Sequence, residues 1–103
     1  MDYIGLFFAG AFLCNAIPHL TAGLRGEVFP TPFAKPRGKG PSSPLINFLW
    51  GALNLLVGLA LLARYPVAVD FDPAFIAFAA GALAIGLYLS IHFGKVRGDN
   101  SAS

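Results

Sequence analysis

The sequence predicts an all-α fold, an integral membrane bundle of three transmembrane helices with a long Pro/Gly-rich loop between helices 1 and 2. Two observations carry that prediction. Of 103 residues, 56% are hydrophobic and only 12% are charged, whereas soluble domains carry about a quarter charged residues. The charges also leave gaps of 22, 24 and 22 residues: Tyr3 to Leu24, Gly40 to Ala63 and Pro73 to Gly94. As helix, each gap rises roughly 33 to 36 Å, against about 30 Å of hydrocarbon. This pattern excludes a soluble enzyme, a disordered tail, a disulfide-stapled secreted module and a nucleic-acid binder.

The chain reads as one membrane domain, residues 1–103. Helix 1 is expected over about 3–24. Its Met1-Asp2 start has no positive charge and its apolar run is long, so it is read as a span and not as a cleaved signal peptide. A loop comes next, over 25–44. It holds five prolines and three glycines after Arg25, which exclude helix and strand. Phe29 and Phe33 interrupt its polarity, so it is expected to fold back onto the membrane surface or the helix ends. Ser42, Ser43 and Pro44 suit a helix start, because hydroxyls cap free amides and proline suits the first turn. Helix 2 is expected over about 45–63 and helix 3, after Asp72-Pro73, over about 74–93. Gly94, with Lys95 and Arg97 just beyond it, marks the expected end of helix 3, and a short polar tail covers 95–103. The short second connection, about 64–73, predicts that helices 2 and 3 are antiparallel neighbours.

Charge placement predicts orientation. Net charge is +2, and the basic residues are too dispersed for a nucleic-acid patch. Arg25, Lys35, Arg37, Lys39, Lys95 and Arg97 fall on one side of the bundle and Arg64 alone on the other. The positive-inside rule then puts the N-terminus outside and the first loop and C-terminus in the cytoplasm. Tyr3 and Tyr65 fall at the outer boundary, where amphipathic rings are favoured.

Polar residues within the spans carry the functional information, since each is costly in lipid without a partner. On helix 1, Asn15 and His19 lie one turn apart, on the face of Phe8 and Ala11. On helix 2, Asn47, Gly51, Asn54 and Gly58 are spaced 4, 3 and 4, an arc of about 60° at helical periodicity. On helix 3, Ala77, Gly81, Ala84, Tyr88 and His92 share an arc of about 80°. These stripes suit the seam of a bundle or oligomer. Depth adds a second reading. Asn15, His19, Asn47, Trp50, Asn54, Tyr88, Ser90 and His92 all fall in the cytoplasmic half, which argues for a polar pocket there and against a pore. Pro18 is expected to kink helix 1 beside this cluster, because it cannot donate to the Cys14 carbonyl.

The available chemistry is limited. No acidic residue lies within a span, so a carboxylate-driven transporter lacks its usual engine. There is no paired carboxylate and no Ser/His/Asp constellation, so no catalytic residue is assigned and the chain is read as a non-enzyme. No metal site is assigned, and the single Cys14 excludes an intrachain disulfide. Arg37, Lys39, Ser42 and Ser43, at the start of helix 2, are candidates for holding a lipid phosphate, with helix capping as the plainer role. No cofactor is assigned. The alternative is haem b held between His19 and His92, or a hydrogen-bonded quinone.

The stretch Asn15-Ala16-Ile17-Pro18-His19, with Phe29-Pro30-Thr31-Pro32-Phe33, Gly38-Lys39-Gly40, Ser42-Ser43-Pro44, Asn47 and Trp50-Gly51, resembles small three-span membrane proteins of bacteria. The resemblance covers residues 15–54. It implies a bacterial inner membrane and a long loop that belongs to the core; it brings no activity and no binding residues.

The leading expectation is a protein that acts through packing, as a homo-oligomer or an accessory subunit, with the lipid bilayer and other membrane subunits as partners. The alternative is a small-ligand site (quinone, haem or lipid headgroup) built from Asn15, His19, Asn47, Trp50, Asn54, Tyr88 and His92. A small oligomeric transporter is third.

Overall fold

Helices form where charge is missing: α1 (Tyr3–Leu24), α2 (Pro44–Arg64) and α3 (Pro73–Ala102). The computed structural model describes the backbone of residues 2–102 and the side chains of residues 2–98. Among these residues there is no strand, only an isolated antiparallel bridge between Phe29 and Ser42. All three helices are long and apolar enough to cross a membrane, with spans of mean hydropathy 1.5, 2.0 and 2.1.

Side-chain caps fix the helix starts. The Asp2 carboxylate accepts the Gly5 amide at 2.9 Å, the Ser43 hydroxyl the Ile46 amide at 3.1 Å, and the Asp72 carboxylate the Phe75 amide at 2.9 Å. Each satisfies one of the amides a first turn leaves free. α1 ends at Gly26, whose φ of +70° suits glycine. There the Glu27 amide reaches the Ala22 carbonyl and the Gly26 amide the Gly23 carbonyl, a Schellman closure.

The end of α3 departs from expectation. The helix passes Gly94 and continues through most of the expected polar tail to Ala102. A helical glycine costs only about 1 kcal/mol against alanine. Gly94 does not adopt the left-handed conformation of a stop, and Val96 beyond it is buried, bordering the same cleft as Val28 and Pro41.

The order of the helices is a second correction. α1 lies in the centre, packed against both α2 and α3, and among the described residues no Cα of α2 comes within 8 Å of one in α3. Glycines bring both partners close to α1. On the antiparallel α2 side, a Cβ at Gly58 would sit 2.6 Å from the Leu13 side chain, and one at Gly51 2.8 Å from Leu20. On the parallel α3 side, a Cβ at Gly10 would run into the Phe78 carbonyl, and one at Gly81 into the Phe7 carbonyl. Contact between α2 and α3 is not forced by their short connection. Residues 65–72 can extend to roughly 29 Å, ample to bypass α1 when helix axes pack about 8–10 Å apart.

The predicted stripe on α2 is its packed face: Asn47, Gly51, Asn54 and Gly58 are its buried residues. On α3 the packed face is rotated from the prediction. Ala74, Gly81 and Val96 are buried, whereas Ala84 and Tyr88 are exposed. α3 is apolar almost all round, so small residues alone gave a poor guide to its contact side.

Residues 25–43 fold over one end of the bundle. Phe29 and Ser42 exchange backbone hydrogen bonds at 3.2 and 3.0 Å, and the Thr31 carbonyl accepts the Ala34 and Gly38 amides. The Thr31 and Ser42 hydroxyls meet at 2.7 Å and both residues are buried.

Candidate functional site

His19 stands where all four segments meet. Its ring is 2% exposed and makes edge contacts with Phe29, Trp50 and Phe93, at centroid distances of 5.5, 6.4 and 6.2 Å. Phe29 belongs to the capping segment, Trp50 to α2 and Phe93 to α3.

Hydrogen bonds fix the state of this histidine. The Asn47 Nδ2 lies 2.9, 3.2 and 3.1 Å from the carbonyls of Phe29, Ser42 and Ser43. Carbonyls only accept, so the amide nitrogen of Asn47 must face them and its Oδ1 must face His19 Nδ1, at 2.9 Å. His19 Nδ1 is therefore the protonated nitrogen and donates, and in the neutral ring Nε2 carries a lone pair. Nε2 has no protein partner. No buried side-chain nitrogen or oxygen among the described residues lacks one, so Nε2 is not wholly enclosed, and His19 borders a cavity.

A second pair repeats the logic. Asn54 Nδ2 donates to the Trp50 carbonyl at 2.8 Å, which turns Asn54 Oδ1 toward Asn15 Nδ2, also at 2.8 Å. Asn15 Oδ1 is then the atom left without a partner. On α3, His92 Nε2 donates to the Gly38 carbonyl at 2.8 Å and ties the capping segment down. Tyr88 stacks on His92, rings 6° from parallel and 5.8 Å apart.

These groups border a half-open cavity of about 340 Å³, floored by α1, walled by α2 and α3 and roofed by Pro30, Thr31, Pro32 and Gly38. Its volume falls at the lower end of small-ligand sites. Phe8, Phe12, Ile85, Leu89 and Phe93 make most of it apolar, and Asn15 and His19 lie on its α1 floor. The cavity exists because α2 and α3 stand apart.

Of the seven expected ligand residues, Asn15, His19, Trp50, Asn54, Tyr88 and His92 border this cavity. Asn47 does not; at 0% exposure it sits behind His19 and orients it. Ser90 bonds back to the Gly86 and Leu87 carbonyls of its own helix. α1 continues without a break through Pro18. The two histidines do not offer a pair of free Nε2 ligands to a haem, since that of His92 is held by Gly38. The candidate phosphate residues are spread out. Ser42 bonds Thr31 and Ser43 caps α2, Arg37 is exposed, and Lys39 borders a second cleft with Arg97. Sequence reasoning missed Phe12, Leu89 and Phe93. The signal was their position one turn or less from Asn15 and His92.

Comparison with known proteins gives no match: no family model fits the chain, and no curated protein or solved structure is significantly similar to it.

Proposed function

We propose that the chain is a multi-pass membrane protein that binds a small amphiphilic molecule between α2 and α3. The observation that carries this reading is the cavity itself: an apolar cleft bordered by a histidine only 2% exposed, whose Nε2 has no partner within the protein. Polar atoms that line an apolar cleft are costly to leave unpaired once a bound molecule shuts them off from water. A molecule with an apolar body and one polar end, reaching the cleft from the bilayer through the gap between α2 and α3, meets both demands. In this reading the capped end, which carries six of the seven Lys and Arg residues, faces the cytoplasm, and the N-terminus lies outside. The resemblance of residues 15–54 supports a bacterial inner membrane as the location.

Mass analysis of small molecules extracted from protein purified in mild detergent tests the proposal. A stoichiometric amphiphile in the wild type, lost in His19→Ala and in Asn54→Leu, supports it. Wild type and both variants carrying the same molecule at the same occupancy would sink it, as would a wild type with none.

A second reading, an accessory subunit or homo-oligomer, draws on α3. Only 11% of its membrane-length stretch is buried within the chain, which leaves a broad apolar surface for another helix. Cross-linking in native membranes separates the two, since a strictly monomeric species refutes the second alone.

A further inference from the structure

We infer that the polar end of the ligand is a hydrogen-bond donor, a hydroxyl of the phenol or quinol type; this rests on the cavity being a ligand site and names the chemistry it selects. Two chains of hydrogen bonds run to the cavity floor, and each starts from backbone carbonyls that can only accept. In the first, the Phe29, Ser42 and Ser43 carbonyls orient Asn47, Asn47 orients His19, and the cavity receives the lone pair of Nε2. In the second, the Trp50 carbonyl orients Asn54, Asn54 orients Asn15, and Asn15, which lines the cavity, is left with its carbonyl oxygen Oδ1 unpaired. Both chains end in an unpaired acceptor, and the Asn15 amide keeps a second N–H beside its own.

A ketone or ether brought to that floor would leave the His19 Nε2 lone pair set against another acceptor. A hydroxyl satisfies it by donating. The remaining polar groups agree with this choice. The Trp50 indole N–H and the Tyr88 hydroxyl belong to residues on the walls, and a hydroxyl oxygen can accept from such donors while its hydrogen goes to the floor. The rings of Phe8, Phe12, Trp50, Tyr88 and Phe93 suit an aromatic carrier for that hydroxyl. The oxidised form of a quinone, with carbonyls in place of hydroxyls, is the poorer fit.

The test uses the full chain in detergent and two probes of nearly equal size: 4-pentylphenol, and 1-fluoro-4-pentylbenzene, which lacks the donor. Trp50 is the only tryptophan and borders the cavity, so its emission reports occupancy. The 15N resonance of His19 Nε2 reports the bond itself. The phenol should bind about tenfold or more tightly than its fluoro counterpart, as expected for one or two buried hydrogen bonds, and should shift the Nε2 resonance. Asn15→Leu should narrow that advantage. Equal affinity for the two probes, or an unmoved Nε2 resonance on saturation with the phenol, overturns the donor assignment and leaves the cavity standing as a site. Saturable binding of neither probe overturns both.

Discussion

Asn47→Leu is the substitution that most fully exposes how the capping segment and the site depend on one side chain. The three carbonyls that Asn47 Nδ2 approaches all keep a backbone donor without it. Phe29 O accepts from the Ser42 amide at 3.0 Å, Ser42 O from the Phe29 amide at 3.2 Å, and Ser43 O from the backbone amide of residue 47 at 3.0 Å. The group left alone is His19 Nδ1–H, in a side chain 2% exposed. An orphaned buried donor costs about 1–3 kcal/mol, and losing the amide's own bonds adds about 0.5–1.5 kcal/mol for each. Leucine's added apolar burial returns part of this, roughly 1–2 kcal/mol, so a net loss on the order of 2 kcal/mol is expected. Unfolding titrations in mixed detergent micelles measure it, and hydrogen exchange at the Phe29 and Ser42 amides locates it. Those amides should exchange faster, because Asn47 no longer ties the Phe29–Ser42 bridge to α2. A loss below about 0.5 kcal/mol, smaller than one ordinary hydrogen bond, with unchanged exchange would refute the reasoning.

Other expectations concern the helix contacts and the caps. Gly81→Leu should separate α3 from α1, because a Cβ there meets the Phe7 carbonyl, whereas Gly86→Ala should be tolerated, its Cβ lying at 3.4 Å from Cys14 Sγ; cysteine cross-linking between α1 and α3 distinguishes them. A double-mutant cycle of Asn15→Leu and Asn54→Leu should show a coupling of about 0.6–2 kcal/mol, as for other amides bonded between membrane helices, and zero coupling would show that the 2.8 Å contact is idle. His92→Phe should raise exchange at the Gly38 amide by freeing the turn that His92 holds at 2.8 Å, with His92→Gln retaining more protection. The Gly5 amide bonded to Asp2 lowers that carboxyl below its ordinary value of 3.8. Its pKa is then lower folded than unfolded, so its contribution is complete above that value and fades as pH falls through the folded one. Asp2→Asn should flatten the acid limb of a stability–pH curve, and an unchanged limb would rule the cap out as its cause.

Much of the fold was legible because apolar length and capping chemistry are local. The three charge-free gaps gave three helices, and Ser43 and Asp72 each stand one residue before a proline that opens a helix, within reach of that helix's first free amides. The α2 stripe was legible for a different reason. Its amides and glycines lie on one narrow arc, and that arc is the one α1 covers. The arrangement of the helices was not legible. Two apolar helices joined by a short connection have no local signal to say whether they touch or straddle a third. The decisive residues, Gly10 and Gly81, gain meaning only from the carbonyls they meet across the interface. The end of α3 was misread because Gly94 is a stop only when it turns left-handed, and here the burial of Val96 favours going on. In the site, residue types and depth singled out six residues that border the cavity, but the division of roles did not show. That Asn47 orients His19 while Asn15 faces the cavity depends on which carbonyls fix each amide.

The central claim is that the gap between α2 and α3 holds a small apolar-bodied molecule. The most direct measurement is the emission of Trp50 during titration with 1-bromononane, whose bromine quenches at contact, in wild type and in Ala11→Phe. Ala11 lies on the cavity floor, and a phenyl ring there fills the space while leaving Asn47 and His19 paired. Saturable quenching in the wild type, replaced by a linear partitioning response in Ala11→Phe, is the predicted result. The same quenching curve in both proteins would contradict the claim.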